Sequence, residues 1–150
     1  MTREVRKVPA DWQHPSNGQY WDGQVRYEPL FDGSKFEAKA AHWDEEAAKW
    51  ARGEFPEDAS EAAKAMSYED WEGPRPDPAH YMPRWADFEC THFMMYEVTS
   101  EGTPISPACA SLEELARWLT EHKETIYAGK MLTYEQWLRV CKGETYSIAL

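Results

Sequence analysis

Cysteine is scarce in this chain of 150 residues, and Cys90, Cys109 and Cys141 stand at unmatched spacings. An odd number without CxxC pairs argues against a disulfide framework and against structural zinc, because both need their sulfurs in sets. Long apolar runs are missing too: no stretch approaches the roughly 20 apolar residues that cross a bilayer. Met1 to Lys7 is charged and leads into Val8 and Pro9, without the apolar segment of a signal peptide. Positive charge is in short supply, since 16 basic residues face 27 acidic ones and the formal net charge is −11. Gripping nucleic-acid phosphate takes clustered Lys and Arg, so direct DNA or RNA binding is disfavoured. The eight glycines are dispersed and none falls in a Walker or dinucleotide pattern. These absences predict a soluble, cytoplasmic chain without a cofactor, off the membrane, whose acidic surface suits basic partners.

What is abundant is aromatic surface. Eight Trp, eight Tyr and five Phe make up 14% of the chain, and most of the tryptophans lie beside prolines or on acidic helices. The length fits one domain, 1–150. Within it the sequence divides into an irregular arm over 1–33, an acidic helical part over 34–72, a Pro-rich connector over 73–90 and a hairpin–helix–helix part over 91–150. The acid is concentrated centrally, with six basic and thirteen acidic residues between 31 and 80.

The arm is interrupted by Pro9, Pro15, Gly18, Gly23 and Pro29 before a helix can nucleate, so its rings Trp12, Tyr20, Trp21 and Tyr27 need another surface to rest on. A capping box at Ser34 and Glu37 predicts a helix over 34–52 that stops at Gly53, with Phe36, Ala40, Trp43, Ala47 and Trp50 as one stripe. Ser60 opens a weaker helix toward Met66. Gly73, Pro74, Pro76, Pro78 and Pro83 then impose extended geometry, either a connector wrapped on the domain or a recognition strap. Residues 91–99 are β-forming and apolar on both faces, which suits a buried strand. Pro104 and Pro107 restrict the returning strand, 105–109, to a sheet edge. Capping signals at Ser111/Glu114 and Thr133/Gln136 open helices over 111–122 and 133–142, and 146–150 reads as a last strand. The fold class is therefore α+β: a small antiparallel sheet covered by helices, with irregular Pro- and aromatic-rich segments.

Chemistry is thinly signalled. Cys90 and His92 share a strand face and His80 and Cys109 are not far off, but the spacing lacks paired metal ligands. Cys109 precedes a helix N-terminus that favours a thiolate, but the favoured reading is a small apolar residue ending a strand. Paired carboxylates such as Asp44 to Glu46, or Glu113 and Glu114, read as solvated helix faces. No catalytic or metal-binding residue is assigned. The run Glu54, Glu57, Asp58, Glu61, Glu69, Asp70 and Glu72, with only Lys64 among them, is where a mimic of nucleic-acid phosphate would lie. Against mimicry, the helix from Ser34 alternates its charges.

Several phrases resemble those of small proteins encoded by bacteriophages and prophages: Arg6-Lys7-Val8-Pro9-Ala10-Asp11-Trp12-Gln13-His14-Pro15, then Pro29-Leu30-Phe31-Asp32-Gly33, Trp71-Glu72-Gly73-Pro74, and Tyr96 through Pro107. The likeness spans most of the chain but carries no catalytic motif. What it implies is a phage context in a bacterial host cytoplasm. Joined to the aromatic surplus, it leads to an expected non-catalytic accessory protein that binds a host protein, such as a defence or nucleic-acid-handling factor. The expected contact residues are Trp12, Tyr20, Trp21, Trp71, Tyr81 and Trp85, with Glu57, Asp58, Glu61, Glu69 and Asp70 as the acidic complement. Trp43, Trp50, Trp118 and Trp137 are assigned to the core. The alternatives are an acidic nucleic-acid mimic and a small enzyme or metal protein using Cys90, His92 and Cys109.

Overall fold

The computed structural model describes residues 3–98, 102–126 and 129–144. They gather into two compact units, one built from residues up to Leu30 and from Arg84 onward, the other from Phe31–Pro83.

The first unit is organised by strand β4 (His92–Glu97), the centre of a three-stranded antiparallel sheet. β1 (Arg3–Val8) pairs along its whole length, with Val5 opposite Met95 and Arg3 opposite Glu97. On the other side β5 (Thr103–Pro104) pairs with Glu97 and Tyr96. Proline confines β5 to the edge as expected, because Pro104 has no amide to donate outward. The return strand lies at 103–104 and not at the expected 105–109; beyond it the Ile105 amide donates to the Met95 carbonyl, Ser106 Oγ accepts from the Met95 amide, each at 2.9 Å, and Cys109 bridges Phe93. The residues expected to form a strand at 146–150 lie outside the described residues.

The β1 segment, read as an irregular arm from sequence, is a strand. Its pattern is hard to recognise because the inward face carries Arg6, which is buried, beside Val8.

Alternation along β4 divides the work of its two faces. Met95, with Phe93, Val5 and Ile105, packs against α4 (Leu112–Glu121) and α5 (Tyr134–Cys141), where Leu115, Leu119 and Trp137 are fully buried. Each such side chain stabilises the fold by roughly 1.5–3 kcal/mol. The helices start where the sequence says they should. Ser111 Oγ accepts from the Glu114 amide, and at Thr133 the reciprocal capping box with Gln136 is complete. The opposite face of β4 presents Met94 and Tyr96, and here the rings of the N-terminal segment cover the sheet.

In the second unit, α1 (Phe36–Ala51) is the long element. Its start differs from expectation: Asp32, not Ser34, is the capping acceptor, and it opens a short 3-10 turn over Gly33–Lys35 that feeds the helix. Gly33 is required there, since a Cβ would strike the Met82 carbonyl. Two short helices follow, α2 (Glu61–Lys64) capped by Ser60 and α3 (Tyr68–Glu72) capped by Ser67. The indole of Trp50 is the hub: it is buried, donates to the Met66 carbonyl at 2.9 Å, stacks on Trp71 at 5.6 Å and meets Phe55 edge-on at 4.7 Å.

Candidate functional site

Residues Ser16 to Tyr27 fold into a hairpin, β2 (Ser16–Gln19) and β3 (Val25–Tyr27), whose strands are exposed except at Tyr27. Its turn is set by Gly23, which sits at φ +86° and donates to the Tyr20 carbonyl, and by Asp22, whose carboxylate accepts from the Gln24 amide at 3.1 Å. That turn pushes its rings outward. Trp21 is 98% exposed and Tyr20 54%, with Val25 beside them. The Arg26 guanidinium lies 5.8 Å from the Tyr20 ring centre, a position that keeps the phenol face polar-rimmed.

The hairpin is rooted by a buried polar chain. Glu28 donates its amide to the Pro15 carbonyl, closing the base. The His14 ring bridges that base to the sheet through Nε2 on the Glu28 carbonyl and Nδ1 on the Tyr96 hydroxyl. A carbonyl only accepts, so Nε2 carries the proton and the Tyr96 hydroxyl donates to Nδ1. Trp12 Nε1 in turn donates to the same hydroxyl at 3.2 Å, and the Arg6 guanidinium sits 4.4 Å over the Tyr96 ring while donating to the Leu30 carbonyl. Burial holds the His14 imidazole below its ordinary range, and Arg6 adds to this, while the Glu28 carbonyl works against it. Trp12 and Trp85 pair edge to face at 4.9 Å over this network. Both are half-buried, so they form the root of the hairpin more than a free surface.

Two other rings expected at the surface turn inward. Tyr81 is buried against Phe31 and Phe36, because Phe31 and the end of the proline segment pair backbone to backbone. Trp71 is half-buried by its stack on Trp50. The proline segment is therefore a strap laid on its own unit, fixed by Trp43 Nε1 donating to the Gly73 carbonyl at 3.1 Å and by a two-pronged Arg75–Asp44 ion pair. Of the rings assigned to the core, Trp50 and Trp137 are buried; Trp43 and Trp118 are half-buried. Phe88, 82% exposed, went unnoticed in the sequence because a lone Phe on a short turn leaves no periodic signal.

The acidic residues Glu57, Asp58, Glu61, Glu69 and Asp70 are all exposed, and Glu61 shares its charge with Lys64 at 3.0 Å. Between α1, α3 and the strap lies a cleft of about 470 Å³, lined by Lys39, His42, Trp43, Tyr68, Glu72 and the strap prolines.

The surroundings of all three cysteines disfavour the thiolate. Burial raises the thiols of Cys90 and Cys109, and that of Cys141 is pushed up to about 12, so all three stay protonated near neutrality. His92 bonds the adjacent Thr91 hydroxyl, and Cys109 faces the Pro107 carbonyl. Among the described residues no three His, Cys, Asp or Glu side chains gather as a metal site, and no helix is long and apolar enough to cross a membrane. Compared with protein-family models, curated proteins and solved structures, the chain matches none.

Proposed function

We propose that this chain is a non-catalytic binding module that docks on a protein partner through the tip of the β2–β3 hairpin, with Trp21 and Tyr20 as anchors. The observation that carries the reading is the 98% exposure of Trp21 on a turn closed by hydrogen bonds among Tyr20, Asp22, Gly23 and Gln24. An indole left in water forgoes burial that most folds use, and Trp and Tyr contribute disproportionately to interface energy once they are desolvated. The phage-like phrases motivate a bacterial host protein as the partner, within an anti-defence or other accessory role.

The test is affinity capture from a bacterial lysate by the native chain and by Trp21→Ala. Because Trp21 touches almost nothing, the substitution is expected to change folding stability by no more than about 0.5 kcal/mol. Partner recovery should fall at least tenfold, equivalent to about 1.4 kcal/mol. Undiminished recovery by a folded Trp21→Ala chain would overturn the hairpin as the docking element. The exposed acidic run supports a second reading, a mimic of nucleic-acid phosphate. In that case capture would collapse with added salt and with charge reversal at Glu57 and Asp58, while Trp21→Ala left it intact.

A further inference from the structure

The cleft of the 31–83 unit has the make-up of a ligand site in its own right. Its volume of about 470 Å³ falls in the range of roughly 300–1,000 Å³ usual for binding pockets. Trp43 and Tyr68 meet edge to face at 5.1 Å on one wall, and Pro74 and Pro76 form the other. Three polar groups on this lining, the Tyr68 hydroxyl, His42 and Glu72, have no hydrogen-bond partner among the described residues.

The surrounding charge says which ligand fits. This unit holds thirteen acidic and six basic side chains. Lys49, Arg52, Lys64 and Arg75 are already ion-paired to Glu45 and Glu46, Glu54, Glu61 and Asp44, respectively, and Lys39 lies 5.5 Å from the Phe31 ring centre. Glu72 forms no ion pair among the described residues, although it shares the cleft lining with Lys39. Burial and then the nearby charges of Glu72 and Glu46 raise the Tyr68 phenol, a sign that both carboxylates bear on that end of the cleft. The surplus of carboxylates across this unit favours a cation over an anion at the Glu72 and Tyr68 end of the cleft.

We propose that the cleft binds a Lys or Arg side chain carried on an extended, basic segment of a partner protein. The cation sits between Glu72 and the Tyr68 hydroxyl, the aliphatic stem lies against Trp43 and the strap prolines, and Lys39 and His42 donate to carbonyls of the same segment. Aromatic grooves with acidic rims hold extended peptides in this manner. The inference rests on the binding-module reading only in taking the ligand from a protein.

The experiment titrates the full chain with a blocked peptide of alternating Pro and Arg, following the Trp43 indole N–H by NMR and affinity by calorimetry. Binding should shift the Trp43 signal, weaken with added salt, and drop at least tenfold in Glu72→Lys. Tyr68→Phe should lose several-fold by removing the hydroxyl alone. Glu57→Lys, outside the cleft, should cost much less than Glu72→Lys, and a Pro–Glu peptide should not bind. Equal loss in Glu57→Lys and Glu72→Lys, binding of the acidic peptide, or no binding of the basic one would overturn the proposal. Trp21→Ala should leave peptide affinity unchanged, so this proposal and the hairpin reading fail separately.

Discussion

At the scale of single residues, His14 holds the most consequential position in the first unit. It is 8% exposed, and its two ring nitrogens tie the hairpin base to the central strand. The groups around it leave little room for a second proton. Tyr96 already donates to Nδ1, Trp12 and Arg6 both face the phenol, and Glu4 is engaged by Arg6 at 2.8 Å. With the imidazole held low in the fold, the unfolded chain takes up the proton first as pH falls. The contribution of His14 is therefore complete above the ordinary histidine range near pH 6.5, and is lost progressively as pH drops from there toward the folded value. Urea unfolding followed from about pH 7.5 to 5.5 should show stability falling by up to ~1.4 kcal/mol per pH unit from this group. His14→Gln should be less stable at neutral pH but lack that component of the slope. A slope unaltered by the substitution would place the sensitivity elsewhere.

Among the elements, helix starts separate what sequence dictates from what context decides. Ser111 and Thr133 lie just before strongly amphipathic segments, and both act as caps, so Ser111→Ala or Thr133→Ala should cost about 0.5–2 kcal/mol in chemical denaturation. Ser34 carries the same signature without the role, because the chain has already turned on Asp32. Asp32→Ala should destabilise, while Ser34→Ala should stay within about 0.5 kcal/mol of the parent; the reverse order would contradict the cap assignment. The strand at the centre of the sheet and α4 and α5 were legible because period and punctuation agree in those stretches, while proline gave the edge position of β5 but not its residues, 103–104 in place of 105–109. β1 was not, since a buried arginine held by a tyrosine face and a carbonyl looks like a solvent-facing charge in sequence. The candidate surface divides in the same way. Exposure of Tyr20 and Trp21 follows from a local turn at Asp22 and Gly23, although the hairpin that carries them reads from sequence only as an interrupted, irregular arm. The inward turn of Tyr81 and Trp71 depends on the strap folding back onto α1, a contact between residues some 30 positions apart, through Trp43 with Gly73 and Asp44 with Arg75.

Taken as a whole, the molecule segregates its charge by unit: the 31–83 segment carries thirteen acidic and six basic residues, against fourteen and ten in the longer remainder. The segment's ends are held side by side by its own backbone, Phe31 donating to the His80 carbonyl and accepting from the Met82 amide, each at 2.9 Å. An insertion whose entry and exit meet imposes little strain on its host, and loop-closure entropy grows only slowly with the length inserted. The host unit has its own core, from Met95 and Leu115 to Trp137 and Val140, and its own closure at Gly102, where a Cβ would collide with the Leu30 carbonyl and where Leu30 donates to the Gly102 oxygen. Replacing residues 31–83 with a short Gly/Ser linker should therefore leave a chain that unfolds cooperatively and keeps the dispersed NMR signals of Met95, Leu115 and Trp137. It should retain capture through Trp21 and lose binding of the basic peptide. A shortened chain with collapsed signal dispersion would mean that the sheet depends on the acidic segment for its fold, and the two binding surfaces would then have to be regarded as parts of one folding unit.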